Sequence, residues 1–401
     1  MSDQHPVHSS PLWRPQSHIP QLDGVRGLAI LIVTLYRFSK EIPTDTWTGH
    51  ALHTVFSLGD RGVDLFFVLS GFLITGILLD AKGSQNYFTS FLARRSLRIF
   101  PLYFAALFLC LIASNWIPAY RGMFALADHN QFYLWTYLTN IKMSLEGAWC
   151  FGYLDHFWSL AVEEHFYLVW PLALAACTRG TALKLAAGVA VVCGLSRIGF
   201  AAISSNGLAP DVLTIFRCDA LLIGALLAMF IRSPQGLAPL RRWTWFVFPI
   251  CLVGGLGATV LDKRLFTVAH TLWPLLWACV LIWLLSSHEQ RWLARLFNLS
   301  GLRKLGTVSY AMYVFQSPLI PVVGVVCSVP LLSELIGNTI AANLIYMLLM
   351  FTLTYAAGLL SWYALEQHCL KLKRWFPTHS PAAKKEAVLR PAGQLVTAGN
   401  E

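Results

Sequence analysis

Apolar runs of about twenty residues recur along the chain, separated by short polar or basic stretches. Such runs match a hydrocarbon core of about 30 Å, crossed at 1.5 Å of rise per helical residue. The pattern predicts ten spans, at approximately 20–39, 62–80, 99–117, 157–177, 183–203, 214–232, 243–260, 267–287, 305–327 and 338–364. A shorter aromatic-rich stretch, 131–146, reads as either an eleventh span or a segment lying in the interface.

Charge separates these two readings. With ten spans and the N-terminus inside, the inside segments hold Arg14, Lys82, Arg94, Arg95, Arg98, Arg179, Arg232, Arg241 and Arg242, then Arg291, Arg295, Arg303, Lys304, Lys371, Lys373 and Arg374. The outside loops hold few, among them Lys40, Arg121, Lys142, Lys263 and Arg264. Short cytoplasmic loops are the basic ones in membrane proteins, and an eleventh span would turn the arginine-rich loops outward. The expected fold is therefore all-α: a polytopic membrane helix bundle of about ten transmembrane helices, with no soluble C-terminal domain. It belongs in a plasma (inner) membrane with both termini cytoplasmic. The expected organisation is a cytoplasmic polar N-terminus at 1–18, a transmembrane domain at 19–370 and a cytoplasmic polar tail at 371–401. After Phe376 the composition reads as disordered.

Composition agrees with the pattern. Hydrophobic residues make up 56% of the chain, charged residues 12%, and mean hydropathy is +0.57. A soluble domain carries about 25% charged residues. The net charge of +10 does not indicate nucleic acid, because the basic residues sit in short loops where membrane orientation explains them. The nine cysteines are scattered without a CxxC pair, most of them, Cys110, Cys177, Cys193, Cys251, Cys279 and Cys327 included, within apolar segments. They read as small buried hydrophobes rather than as a disulfide framework or metal site. No cleavable signal peptide is expected, since the first apolar run, Leu28 to Leu35, lacks a small-residue cleavage site.

Charges inside the apolar runs need a reason, because one at the bilayer centre costs at least about 2.5–3.5 kcal/mol. In QLDGVRGLAILIVTLYRF, Asp23 and Arg26 share a helical face, and Arg37 falls near that face roughly 16 Å further along. Asp23 and Arg26 are compatible with a structural interfacial pair, and Arg37 with snorkelling to headgroups. In RGVDLFFVLSGFLITGILL, Asp64 is embedded, and Ser70-Gly71 permits close helix approach. Arg94, Arg95 and Arg98 cluster in FLARRSLRIFPLYF. They suit a positive-inside anchor, or a site for the phosphates of a cytosolic anion, whose oxygens guanidinium forks match. The costliest segment is HFWSLAVEEHFYLVWP, with His156, Glu163, Glu164 and His165. Ser159, Glu163 and Tyr167 lie on one face of it, spaced by four residues. Arg217, Asp219 and Gln316 are further polar residues within spans. The residues thus describe a bundle with a basic inner site and carboxylates nearer the outside, which suits a transporter of something anionic as well as a transacylase.

Taken together, DGVRGLA, GVDLFFVLSGFLIT, RRSLRIFPLY, FWSLAVEEHFYLVWP, FRCDALLIGALLA, LGTVSYAMYVFQSP and a closing Glu366 resemble the acyltransferase 3 family of integral membrane O-acyltransferases. The likeness runs from Asp23 to about Glu366. It implies transfer of an acyl group, usually acetyl, from cytoplasmic acyl-CoA to a hydroxyl of an extracytoplasmic polysaccharide or lipid-linked saccharide. It implies cofactor-binding roles for Arg94, Arg95 and Arg98 on the CoA phosphates, with Arg26, paired with Asp23, positioning the donor. Glu163 would orient or deprotonate groups at the transfer site, beside Ser159 and Tyr167. Members often carry a C-terminal esterase-like domain, so this membrane domain is expected to act alone or with polysaccharide-assembly partners.

Two positions depart from the family's pattern. Arg37 and Gln316 stand where histidines are usual, and the first of these histidines is the usual candidate for the transfer base. An arginine stays protonated and cannot act as a base, although it can stabilise a developing oxyanion. His165 and His156 are the alternative bases within the same segment. Three readings stay open on this footing: an O-acyltransferase, a catalytically silent relative that binds acyl-CoA or scaffolds glycan assembly, and a saccharide or lipid transporter.

Overall fold

A computed structural model of the chain describes residues 18–261, 266–286 and 291–377. The expected N-terminal segment up to residue 17 and the tail beyond 377, with its expected disorder, lie outside the described residues. Among the described residues the structure is helical, with no strand. Its ten long helices are α1 (Pro20–Phe38), α2 (Gly62–Ala81), α3 (Tyr87–Trp116), α4 (Trp158–Ala176), α5 (Arg179–Ile203), α6 (Thr214–Ile231), α7 (Ala238–Leu261), α8 (Phe266–Ser286), α9 (Ser300–Phe315) and α10 (Thr339–Ser361). Each overlaps one predicted apolar segment. Among the described residues, six helical stretches are long and apolar enough to cross a membrane: Trp47–Ala81, Tyr87–Trp116, Arg179–Ile203, Ala209–Ile231, Thr267–Ser286 and Thr339–Trp375.

Local chemistry explains the boundaries. Pro20 opens α1 at a position whose N–H would be unpaired anyway. Thr178 caps α5 by accepting from the Thr181 N–H, and Asn338 caps α10 by accepting from the Ala341 N–H. The stretch 131–146 is broken into Gln131–Trp135 and Thr139–Glu146, with Tyr137 between them at φ 57°. Neither piece exceeds eight residues, about 12 Å of helix, so this stretch is no eleventh span. At the other end, helical structure runs on through Trp375, past the expected domain boundary at 370.

The core is set by glycines where helices cross. A Cβ on Gly71 of α2 would meet the Leu221 carbonyl oxygen of α6 at 1.8 Å, and one on Gly224 would meet the Val68 oxygen at 1.9 Å. α1 and α9 meet in the same way through Gly27 against Leu302 and Gly306 against Asp23. Small residues let backbones approach closely where helices have no water to escape from. Gly71→Val is therefore expected to separate α2 from α6 and destabilise the bundle by at least about 1–3 kcal/mol. A detergent-solubilised variant with native thermal stability would refute this.

Buried ion pairs lock the same helices. Arg217 Nη2 lies 2.6 Å from Asp64 Oδ1, joining α6 to α2, and Arg197 Nη2 lies 2.8 Å from Asp219 Oδ2, joining α5 to α6. Arg232 holds Asp80 at 2.8 Å at the other end of α2. Asp64, Arg217 and Asp219, singled out as costly charges in apolar runs, are thus paired within the bundle.

Candidate active site

A cavity partly open to its surroundings lies between α1, α2, α3, α4 and α9. At one end stand three guanidinium groups, from Arg26 of α1 and from Arg95 and Arg98 of α3. Arg95 and Arg98 are three residues apart and so point from one face of α3. The Arg95 guanidinium stacks 4.4 Å from the centre of the Tyr167 ring and donates to its hydroxyl at 2.5 Å. Tyr167 in turn shares a 2.6 Å hydrogen bond with Ser70. Glu163, one turn before Tyr167 on α4, lies beside this pair of hydroxyls and faces Arg95 and Arg26.

One turn before Glu163, Ser159 continues the line. Its hydroxyl is 2.5 Å from that of Tyr313, which donates to the His156 carbonyl at 2.9 Å. The His156 ring lies edge-on to Tyr313, with centroids 5.3 Å apart and its Nε2 3.3 Å from the Val314 carbonyl oxygen. Its Nδ1 is buried with no hydrogen-bond partner. The charge of Arg37 reaches His156, Tyr313 and Asp155, and its Nε is likewise buried without a hydrogen bond. Asp155 accepts from the Phe151 N–H at 2.8 Å. Burial pushes its carboxyl up to about 6, against that hydrogen bond and the charges of Arg37 and Lys40.

The structure therefore gathers Arg26, Arg95, Arg98, Ser159 and Glu163 around one cavity. Tyr167 joins through its hydroxyl, and His156 and Arg37 stand behind Tyr313. Asp23 pairs with Arg26 at 3.4 Å and with His18 at 2.9 Å. Two candidates point elsewhere. His165 Nδ1 lies 2.7 Å from Thr214 Oγ1 of α6, because two residues of rotation carry it away from Glu163. Arg94 donates to the carbonyls of Lys373 and Phe376, at 3.3 and 3.2 Å.

Four residues to which the sequence pattern assigns no site role, Ser70, Ser309, Tyr310 and Tyr313, complete the wall. Tyr310 and Tyr313 carry a readable signal, two hydroxyls three residues apart in SYAMY. Ser70 reads from the sequence only as a packing position beside Gly71.

In chemical terms, guanidinium groups that suit phosphate oxygens stand at one end. A carboxylate beside hydroxyls, of a kind that accepts a proton, stands further along. No solved structure matches the chain. YrhL of Bacillus subtilis, provisionally named a peptidoglycan O-acetyltransferase, is 29% identical over 325 residues, covering 76% of this chain and 49% of YrhL. The peptidoglycan O-acetyltransferase OatA of Listeria monocytogenes is 27% identical over 330 residues, covering 76% and 50%. A Staphylococcus aureus protein provisionally named an O-acetyltransferase is 29% identical over 331 residues, covering 76% and 51%. The chain spans about half the length of these curated relatives. The family description "acyltransferase domain" of acyltransferase 3 matches residues 19–362, and with most of its length matched, the chain belongs to the acyltransferase 3 family.

Proposed function

We propose that the protein is a multi-pass O-acyltransferase of the plasma (inner) membrane, with ten spans and cytoplasmic termini. It moves an acyl group, acetyl by preference, from cytoplasmic acyl-CoA to a hydroxyl of an extracytoplasmic polysaccharide or lipid-linked saccharide. The observation that carries this reading is the single cavity joining Arg26, Arg95 and Arg98 to Glu163 and Ser159. The names of the relatives point to cell-envelope glycan as the acceptor class.

The arginines hold the donor phosphates and leave the thioester directed along the cavity. The acceptor hydroxyl attacks the thioester carbonyl carbon, so a C–O bond forms and the C–S bond breaks. Glu163 takes the hydroxyl proton, and CoA leaves as a thiolate that is protonated on release. The hydrogen-bonded Ser70–Tyr167 pair stands beside the carboxylate and positions it. Arg37 adds positive charge toward the far end, where it stabilises negative charge without exchanging a proton.

A second reading, a silent relative, has one observation in its favour. Gln316 is buried with neither its amide nitrogen nor its amide oxygen hydrogen-bonded, as at a site that has lost its original residue.

Mass spectrometry of envelope glycans separates these readings. In a host lacking the gene, acyl groups are expected to vanish, and to return with the native gene and with Arg37→His alike. Return with Arg37→His alone would mean that the native chain has lost its base. No change with either gene would replace the acyltransferase reading with the silent-relative or transporter reading.

A further inference from the structure

The C-terminal end of the described chain lies across the start of α3. After α10 the chain passes through a π-helical turn, Trp362–Glu366, and two short helices, Gln367–Lys371 and Leu372–Trp375. Three hydrogen bonds pin this end to α3. Arg94 reaches the Lys373 and Phe376 carbonyls, and Ser90 Oγ donates to the Pro377 carbonyl at 3.1 Å. Arg94 is thus committed to backbone, one residue away from the cavity-facing Arg95.

That strap brings a cation to cations. Arg94 and Arg98 are one turn apart on α3, so the strap that Arg94 holds by the Lys373 carbonyl runs beside Arg98, and the Lys373 ammonium feels the charges of Arg98, Arg95, Arg94 and Arg26. Among the described residues, no carboxylate lies within ion-pair distance of Lys373, Arg95 or Arg98. The charges of Glu163 and Glu164 reach Arg95 from α4 without forming an ion pair, and Glu366, whose charge reaches Arg98, is hydrogen-bonded to Ser361 at 3.0 Å, so the cations still outnumber the carboxylates. Like charges gathered in partly buried surroundings repel strongly. An anion with several oxygens offsets that repulsion, and phosphate groups are matched to guanidinium and ammonium donors alike.

We propose that the C-terminal strap completes the donor site: Lys373 is a further ligand for donor phosphates beside Arg26, Arg95 and Arg98, and Arg94 is the residue that positions it. This rests on the acyl-CoA reading above. It also gives Arg94 a different task from its neighbours, although all three arginines share one short motif.

The test measures binding of coenzyme A to the purified full chain in nanodiscs of zwitterionic lipid. The proteins compared are the native chain, Lys373→Ala, Lys373→Arg, Arg94→Ala and Arg95→Ala. Loss of one phosphate-bound cation is expected to weaken binding about tenfold in Lys373→Ala and to flatten its salt dependence. Lys373→Arg retains most of the affinity, whereas a merely structural role would not require a cation at this position. Arg94→Ala weakens binding as Lys373→Ala does, and adding Lys373→Ala to it has little further effect.

Native affinity in Lys373→Ala alongside loss in Arg95→Ala would overturn the role of Lys373 and leave the donor reading standing. Absence of coenzyme A binding by the native chain would overturn both. A phosphate-bearing lipid is the other source of the same chemistry. If Lys373→Ala leaves coenzyme A binding unchanged but weakens retention of anionic lipid in mixed nanodiscs, the strap holds headgroups and the donor assignment fails.

Discussion

Glu163→Gln is expected to lower acyl transfer by roughly 10²–10⁴-fold, the range that a positioned general base contributes. Glutamine keeps the shape of the side chain and an acceptor oxygen beside the Tyr167 and Ser70 hydroxyls. It has no basic carboxylate to take the acceptor's proton. Coenzyme A binding and thermal stability are therefore expected to stay near native, while turnover falls. Quantifying acylated saccharide by mass spectrometry, with donor binding measured on the same preparation, separates the two. A variant that keeps native turnover would move the base elsewhere. His156 is then the next group to replace, since its ring meets Tyr313, whereas His165 is turned toward Thr214.

Asp64→Ala is expected to have the largest effect on the fold. Its carboxylate is 1% exposed and lies 2.6 Å from Arg217, which is 3% exposed. Arg61 Nη1 is also near, at 3.8 Å from the other carboxylate oxygen. Breaking a buried pair from one side leaves an uncompensated cation, at a loss on the order of 3–5 kcal/mol. That is a large fraction of the stability of most domains. The Arg217 guanidinium also lies over the Phe67 and Trp158 rings, at 5.7 and 5.6 Å, and aromatic faces do not replace a full counter-charge. Asp64→Asn combined with Arg217→Gln removes both charges and keeps polar groups in the gap, so it is expected to recover much of the loss. Thermal unfolding in detergent measures both variants. Native stability in Asp64→Ala would show that this pair contributes little.

The two experiments bear on different links of one chain of causes. Asp64 and Arg217 hold α2 and α6 together, with Gly71 and Gly224 at the crossing. That crossing places Ser70, the neighbour of Gly71, against Tyr167. The conformation of the Glu163 carboxylate depends on both. A packing fault at Gly71 should therefore reach the site, whereas Glu163→Gln should not reach the packing.

Local chemistry and period, both present in the sequence alone, determined that the chain is helical, where its apolar helices lie, and that Glu163 shares a face with Ser159 and Tyr167. A helix converts spacing directly into direction, so residues four apart need no tertiary information to be aligned. The close-approach role of Gly71 was legible for the same reason, since a missing side chain beside a small one is visible in the letters. The tertiary structure alone decided which charges meet. Asp64 finds Arg217 at a separation of 153 residues, and Arg94 finds Lys373 at a separation of 279. Neither encounter is encoded by any local period. Neighbours in RRSLR were separated for a similar reason. One residue is about 100° of helical rotation, enough to turn Arg94 to the strap and Arg95 to the cavity, and only the position of the helices packed around α3 gives those two directions different meanings.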